Sequence, residues 1–265
     1  MLRGVEKLTV PLGEKINQGE RLKNFAAAYG YHVSRPFVSW ISQPRWRLFD
    51  EENMVDLKPP RGVLLVSNHR SFFDMYVAAT TIFTHGDFIE RLYFPVRSRF
   101  FYDNPFGPLV NALMSGFAMW PPVFRDERKE SLNAIGLEQM AYALSEPGAV
   151  LGIHPEGTRQ KGDDPYILGV ARPGVGRLIQ RCHPETLVLP FFILGPGNDL
   201  LAEVRRRIRG ETSPEIRMHW GKAIPCEELQ RTARSPEEIA SELLLTVHDL
   251  GQRDRRARLR VSGKS

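Results

Sequence analysis

The sequence predicts an α/β fold: a layered α/β/α sandwich around a mixed, largely parallel sheet, with an N-terminal helical appendage. Three observations predict it. Short apolar runs alternate with longer helix-like stretches, which is the signature of crossover-connected strands. The runs have the length of strands buried on both faces, five to nine residues bounded by polar or turn residues. The last long segment carries a complete helix-start signal, Ser235, then Pro236 at the first helical position and Glu238 three residues after the cap.

Taken in order, residues 1–55 form the appendage, and "FVSWISQPRWRLF" within it concentrates Phe37, Val38, Trp40, Ile41, Trp46 and Phe49. Tryptophan mixed with arginine suits a lipid headgroup zone, and it equally suits a helix docked on a core. Strands are expected at "GVLLVS" (62–67), "RLYFPV" (91–96), "GFAMW" (116–120), "AVLGIH" (149–154) and "TLVLPFFIL" (186–194), with a further one in "EIRMHWGKAI" (215–224). Helices are expected at about 71–84, 127–146 and 174–182. "LLAEVRRRIRG" places Leu200, Leu201, Val204 and Ile208 at helical spacing among Arg205, Arg206, Arg207 and Arg209. That pattern fits a helix on a membrane surface and also an ordinary surface helix. The organisation expected is 1–55, a main domain at 56–250, and a basic tail at 251–265.

The 265 residues, 42% hydrophobic and 25% charged, are enough for one sizeable core. No stretch reaches the roughly 18 uninterrupted apolar residues that a membrane span needs. The N-terminus shows no apolar signal block, so an intracellular protein is expected. Cys182 and Cys226 have neither metal-site nor redox spacing and read as packed, reduced thiols. The formal charge is +5, and residues 251–265 carry all of it, with five arginines and one lysine against one aspartate. Such a tail meets anionic surfaces or is simply solvated. A G-x-S-x-G elbow is absent, as is a G-x-G-x-x-G after a strand, which removes the usual covalent serine and dinucleotide sites. The terminal "SGKS" lacks the upstream glycine of a phosphate loop.

"VSNHRSFFD" (66–74) ends a buried run in Asn68 and His69, with Asp74 five residues after the histidine. Five residues apart, two side chains do not share a helix face. They meet if His69 lies in the strand-to-helix loop and Asp74 in the first turn. Asp74 then fixes the imidazole tautomer and leaves the other nitrogen as a base. The same spacing also occurs as a plain structural hydrogen bond. "AVLGIHPEGTRQ" puts Glu156, Gly157, Thr158 and Arg159 after another strand, where Gly157 permits close backbone approach and Arg159 offers a fork for phosphate or carboxylate. Loops after parallel strands gather on one edge, so 68–74 and 154–159 are expected to share a crevice, with Arg125 of "MWPPVFRDERK" in reach.

Four blocks in this order, "NHRSFFD", "GFAMWPPVFRD", "HPEGTR" and "LVLPFFILG", resemble the glycerolipid acyltransferase family, the type that includes 1-acylglycerol-3-phosphate acyltransferases. They cover roughly 60–200, and "ARPGVGRLI" resembles the segment that follows the third block. The resemblance implies acyl transfer from a thioester, acyl-CoA or acyl carrier protein, to a hydroxyl of a lysophospholipid. His69 would be the general base, oriented by Asp74. Arg125 and Arg159 would hold an acceptor phosphate, Gly157 and Thr158 would shape that loop, and Glu156 would organise it or pair with an arginine. Pro190 would mark the acyl or donor side. The resemblance implies no cofactor, no metal and no nucleic acid, and a peripheral place on the inner, cytoplasmic face of a membrane. Three positions depart from the usual family pattern: His154 in place of an aromatic, Gln160 in place of serine, and Phe124 in place of an acidic residue. Other acceptors fit as alternatives (a glycolipid, glycerol 3-phosphate or a specialised metabolite), as does a non-catalytic membrane-binding protein of the same fold.

Overall fold

A computed structural model describes residues 2–86, 88–231 and 234–262. The chain opens with helices α1 (Glu6–Gln18), α2 (Glu20–Tyr29) and α3 (Arg35–Ser42), the last two joined by a π-helical turn at Gly30–Ser34. Strand β1 (Trp46–Phe49), helix α4 (Glu52–Val55), strand β2 (Val63–Ser67) and helix α5 (Asp74–His85) follow. Then come β3 (Arg91–Tyr93), β4 (Val96–Arg97), α6 (Ser98–Phe101), α7 (Gly107–Ser115), β5 (Pro122–Val123), α8 (Glu130–Ser145) and β6 (Ala149–Ile153). The chain continues through α9 (Gly174–Ile179), β7 (Leu187–Leu194), α10 (Leu200–Arg209), β8 (Ile216–Trp220), β9 (Ile224–Pro225), α11 (Cys226–Gln230) and α12 (Pro236–Ser262).

Seven strands make one sheet in the order β1-β8-β7-β2-β6-β3, with β9 also on β7. β2 is parallel to both β6 and β7, β3 to β6, and β1 to β8; only β8 and β9 run antiparallel to β7. Every residue of β2 is buried, which is why this strand reads as an unbroken apolar run. Helices α8, α9 and α12 pack together beside β6 and β7, and α3, α4 and α5 form another packed group. Met75 of α5 lies against Gly152, where a side chain would collide with its sulfur. Cys182 and Cys226 are free and buried.

Most expected elements are present, and five expectations are corrected. Residues 116–120 are not a strand: Gly116 and Phe117 both have left-handed φ, 56° and 64°, because Gly116 caps α7. The helix expected from 71 begins at Asp74, since the loop before it folds back on the Asp74 carboxylate. The division at residue 55 does not follow the packing. Trp46–Phe49 pairs with β8, and Phe49 stacks on His219 at 4.2 Å. Trp46 is buried and donates to Ser42 Oγ at 3.1 Å, so of the aromatics read as surface contacts it belongs to the core. The appendage itself is tied to the rest by buried polar contacts. The Lys23 ammonium donates to Asn17 Oδ1 and the Leu92 carbonyl and sits 3.7 Å over the Tyr93 ring, and burial pushes its pKa down to about 7.

The basic stretch from 251 is no separate tail through residue 262. It continues α12, and Asp254 is fully buried, accepting from His219 Nε2 (2.9 Å), Arg217 Nε (2.6 Å) and Tyr166 Oη (2.8 Å). These partners hold the Asp254 carboxyl down to about 2 against the upward push of burial. Residues 263–265, including Lys264, lie outside the described residues. At the other end of α12, Ser235 and Glu238 exchange the expected capping bonds. Helix α10 exists, but its inward residue is Glu203, paired with Arg45 at 2.7 Å, and Arg207 donates to the Trp40 carbonyl. Among the described residues no helix is long and apolar enough to cross a membrane.

Candidate active site

β2 ends at Ser67, and the next side chain, Asn68, extends the ladder. Its amide donates to the Ile193 carbonyl and accepts from the Ile193 N–H, both at 2.9 Å, so it substitutes for a peptide unit. The chain then turns. Asp74 Oδ2 accepts the N–H groups of Arg70 (2.8 Å) and Ser71 (2.7 Å) and lies 3.4 Å from His69 Nδ1. The loop therefore wraps around the carboxylate and brings the imidazole to it across five residues. Asp74 is fully buried while about a fifth of the His69 side chain remains open. One nitrogen of His69 faces a buried acceptor, and the ring is partly accessible.

The charges follow from burial. Burial, with the charges of Arg159 and Arg97, pushes the His69 pKa down to about 4, so the ring is neutral at pH 7. Burial raises Asp74 to about 6, against the pull of its hydrogen bonds, so it is ionised at pH 7. A neutral imidazole donating Nδ1–H to a carboxylate leaves Nε2 as the basic atom.

The loop after β6 closes on the first. Glu156, buried, accepts the His69 N–H through Oε2 at 2.7 Å and the Gly169 N–H through Oε1 at 2.6 Å. Of the two roles the resemblance allows Glu156, the geometry is that of loop organiser: both oxygens take backbone donors. The His69 carbonyl in turn accepts the Gln160 N–H at 2.8 Å. Gly157 has φ 62°, a left-handed turn that suits glycine, and Thr158 is half-buried in the same turn. Arg159 is exposed and donates to Asn198 Oδ1, which also receives the Phe72 N–H; Asn198 Nδ2 donates to the Arg70 carbonyl.

Arg125 arrives by another route. β4 pairs with β5 so that Arg97 lies opposite Val123. Asn133 of α8 bonds both backbone groups of Phe124 at 2.8 Å, fixing the start of the Arg125 loop. Arg97 donates to the Gly157 carbonyl at 3.4 Å, and partial desolvation, then the charges of Arg125 and Arg159, lower its pKa. Arg97 and Arg159 thus lie close enough to His69 to bear on its charge, and Arg125 lies near Arg97. Pro190 is different: it is buried within β7, in register with Val66 and packed on Gly221. It sits where β7's antiparallel partner breaks between β8 and β9, a position that needs no ladder N–H.

His154 is the largest departure. Its ring stacks on His69 at 3.8 Å and 9°, with Nδ1 near Ser67 Oγ. Burial pushes its pKa down to about 3. His69, Asp74 and His154 bring one potential ligand atom each within 4.8 Å of one another. A metal ion held between two nearly parallel rings would lie well out of both ring planes, whereas imidazole donates in plane, so this is a poor ligand set. Sequence reasoning missed Arg97, Asn198 and Gly169. Arg97 and Asn198 do carry a signal, since Arg97 follows the apolar run 91–96 read as a strand and Asn198 follows β7, on the edge where the loops gather.

A family model described as Acyltransferase matches residues 49–194, more than half of the chain, and the chain belongs to that acyltransferase family, of the glycerolipid type. Among solved structures, the 1-acyl-sn-glycerophosphate (LPA) acyltransferase PlsC from Thermotoga maritima is similar, with a TM-score of 0.52 over 94% of this chain and 88% of that one. The two are 14% identical, so the likeness is one of fold. No curated protein sequence matches the chain.

Proposed function

We propose that the protein transfers a fatty acyl group from a thioester, acyl-CoA or acyl carrier protein, to a hydroxyl of a lysophospholipid such as 1-acylglycerol 3-phosphate, working peripherally at the inner face of a membrane. The observation that carries this reading is the neutral His69, backed by the buried Asp74, beside Arg97, Arg125 and Arg159. An alcohol attacks poorly with its proton on, and a positioned base supplies roughly 10²–10⁴-fold. His69 Nε2 takes the hydroxyl proton as the oxygen bonds to the thioester carbonyl carbon. The charge on His69 is then stabilised by Asp74. The tetrahedral intermediate collapses with cleavage of the C–S bond, and the thiolate receives the proton from His69. A thiol of pKa near 8.5 leaves readily, so no further strong acid is required.

The arginines favour an anionic acceptor, since a guanidinium meets a phosphate with two parallel hydrogen bonds. Glu156 leaves the guanidiniums free for that phosphate, because both of its oxygens are taken by backbone N–H groups. The reading is tested by thiol release from palmitoyl-CoA and from palmitoyl carrier protein with a panel of acceptors. Release that depends on 1-acylglycerol 3-phosphate and exceeds that with uncharged lysolipids or glycerol 3-phosphate is expected. Release with an uncharged glycolipid alone transfers the proposal to another acceptor, and no release with any acceptor refutes catalysis.

A further inference from the structure

Helix α7 is inside out. Its inward positions, spaced four apart, are Gly107, Asn111 and Ser115, all buried. Asn111 binds the Met119 N–H and carbonyl at 3.2 Å each, and Ser115 Oγ donates to Asn111 Oδ1. The outward side carries the apolar residues: Leu109 and Leu113 are 57% and 59% exposed, and Phe106 just before the helix is 70% exposed. A surface helix normally has the opposite arrangement. Residues 104–116 contain no charged side chain.

The apolar surface extends to both sides. Phe100 of α6 is 66% exposed and Phe25 of α2 is 74% exposed. Tyr29, one turn after Phe25, donates to the Leu113 carbonyl, which brings α2 beside the end of α7. The surface also runs into the site. Gly107 approaches the Phe101 backbone so closely that a side chain would collide there, and Phe101 stacks on Phe72 of the His69 loop. Arg97, Arg99 and Arg21 are exposed along its margins, against Asp103 and Glu20.

We propose that this face, α7 with Phe100 and Phe25, is where the protein docks on an anionic lipid bilayer, holding the mouth of the site at the headgroups. The assignment rests on the reading of the protein as a lipid acyltransferase. Continuity with the site decides between occupants. The face runs through Phe101 and Phe72 into the His69 loop, so a second copy seated on it would cover the way in for a lipid acceptor. A bilayer instead takes up the apolar centre, meets Arg21, Arg97 and Arg99 at the rim and delivers the acceptor there. The docking element is then α7, and not α10 or the arginines of α12 that the sequence singled out.

Full-length protein is floated with phosphatidylcholine vesicles, with and without phosphatidylglycerol. Wild type is expected to bind the anionic vesicles. L109Q/L113Q is expected to bind about thirtyfold more weakly, from two leucine faces that no longer enter lipid. L201Q/I208Q on α10 is expected to bind as wild type. A polarity-sensitive dye on Leu109→Cys should shift to the blue with anionic vesicles; the native cysteines are buried and do not label. Wild-type protein that stays unbound, L109Q/L113Q that binds normally, or a dye without a shift each overturns the docking face. A wild-type dimer that L109Q/L113Q dissolves, without vesicle binding, gives the face to a second copy instead. Thiol release with a soluble short-chain acceptor separates the two levels. Equal rates for wild type and L109Q/L113Q place the defect at docking. No release from either protein refutes the proposed reaction and leaves the vesicle result to decide the surface.

Discussion

Glu156→Gln is the substitution that tests how the site is assembled. The carboxylate is 1% exposed and serves two backbone donors, one on each oxygen. Glutamine keeps its shape but presents one oxygen and one NH₂ group. Whichever way the amide turns, either the His69 or the Gly169 N–H faces another donor. A hydrogen bond to a charged group contributes roughly 1.5–3 kcal/mol, and a buried donor left unpaired costs about 1–3 kcal/mol. Part is returned, because burial raises the Glu156 pKa and the neutral amide avoids that desolvation. A net loss of about 2–3 kcal/mol remains, and at about 2–4 °C per kcal/mol for a chain of this size the melting temperature falls by roughly 5–10 °C. Activity falls further than stability alone accounts for at a temperature where the variant is folded. The His69 backbone is released, and an ångström of displacement at a base costs on the order of a hundredfold in rate. Thermal unfolding by circular dichroism and thiol release at 25 °C measure the two effects. A variant that melts within a degree of wild type and turns over normally would refute the claim that this carboxylate holds the two loops together.

The arginines and the charge states give two further expectations. Arg97→Ala, Arg125→Ala and Arg159→Ala each weaken the acceptor by about tenfold or more in kcat/KM, the equivalent of one charged hydrogen bond, with the donor KM little changed; a rise confined to the donor KM would show that these side chains face the thioester's phosphates. The pH profile of kcat/KM in the free enzyme should fall on the acid side in two stages. Asp74 protonates first, near about 6, and loses the charge that stabilises the protonated imidazole; His69 then gains its proton near about 4 and is no longer a base. Full activity down to pH 4 would contradict this assignment of charges.

The sheet was legible because its central strands are buried on both faces and therefore read as apolar runs, as at 62–67 and 186–194. The His69–Asp74 contact was legible because a strand end, a turn and a helix start are local features. What sequence reasoning missed depends on distant chain. Residues 116–120 are as apolar as a strand, but Gly116 caps a helix and two left-handed residues break the extension. Trp46–Phe49 is too short to declare itself a strand until β8 is there to pair with it. Arg97 reaches Gly157 only because a two-stranded ribbon, β4 with β5, sets its position. The stretch after 251 looked like a charged tail because three of its buried contacts, Tyr166, Arg217 and His219, come from elsewhere. Pro190 carried the pattern of a site residue, and its place in the sheet follows from the interrupted partner strand.

The most direct test of the central claim is acceptor-dependent thiol release by His69→Ala. The variant removes a partly open side chain and no core, so its circular dichroism spectrum and melting temperature should match wild type within a few degrees. Transfer to 1-acylglycerol 3-phosphate is expected to fall by roughly 10²–10⁴-fold, the contribution of a positioned base, with donor binding retained. Folded His69→Ala protein that transfers the acyl group at the wild-type rate would contradict the account.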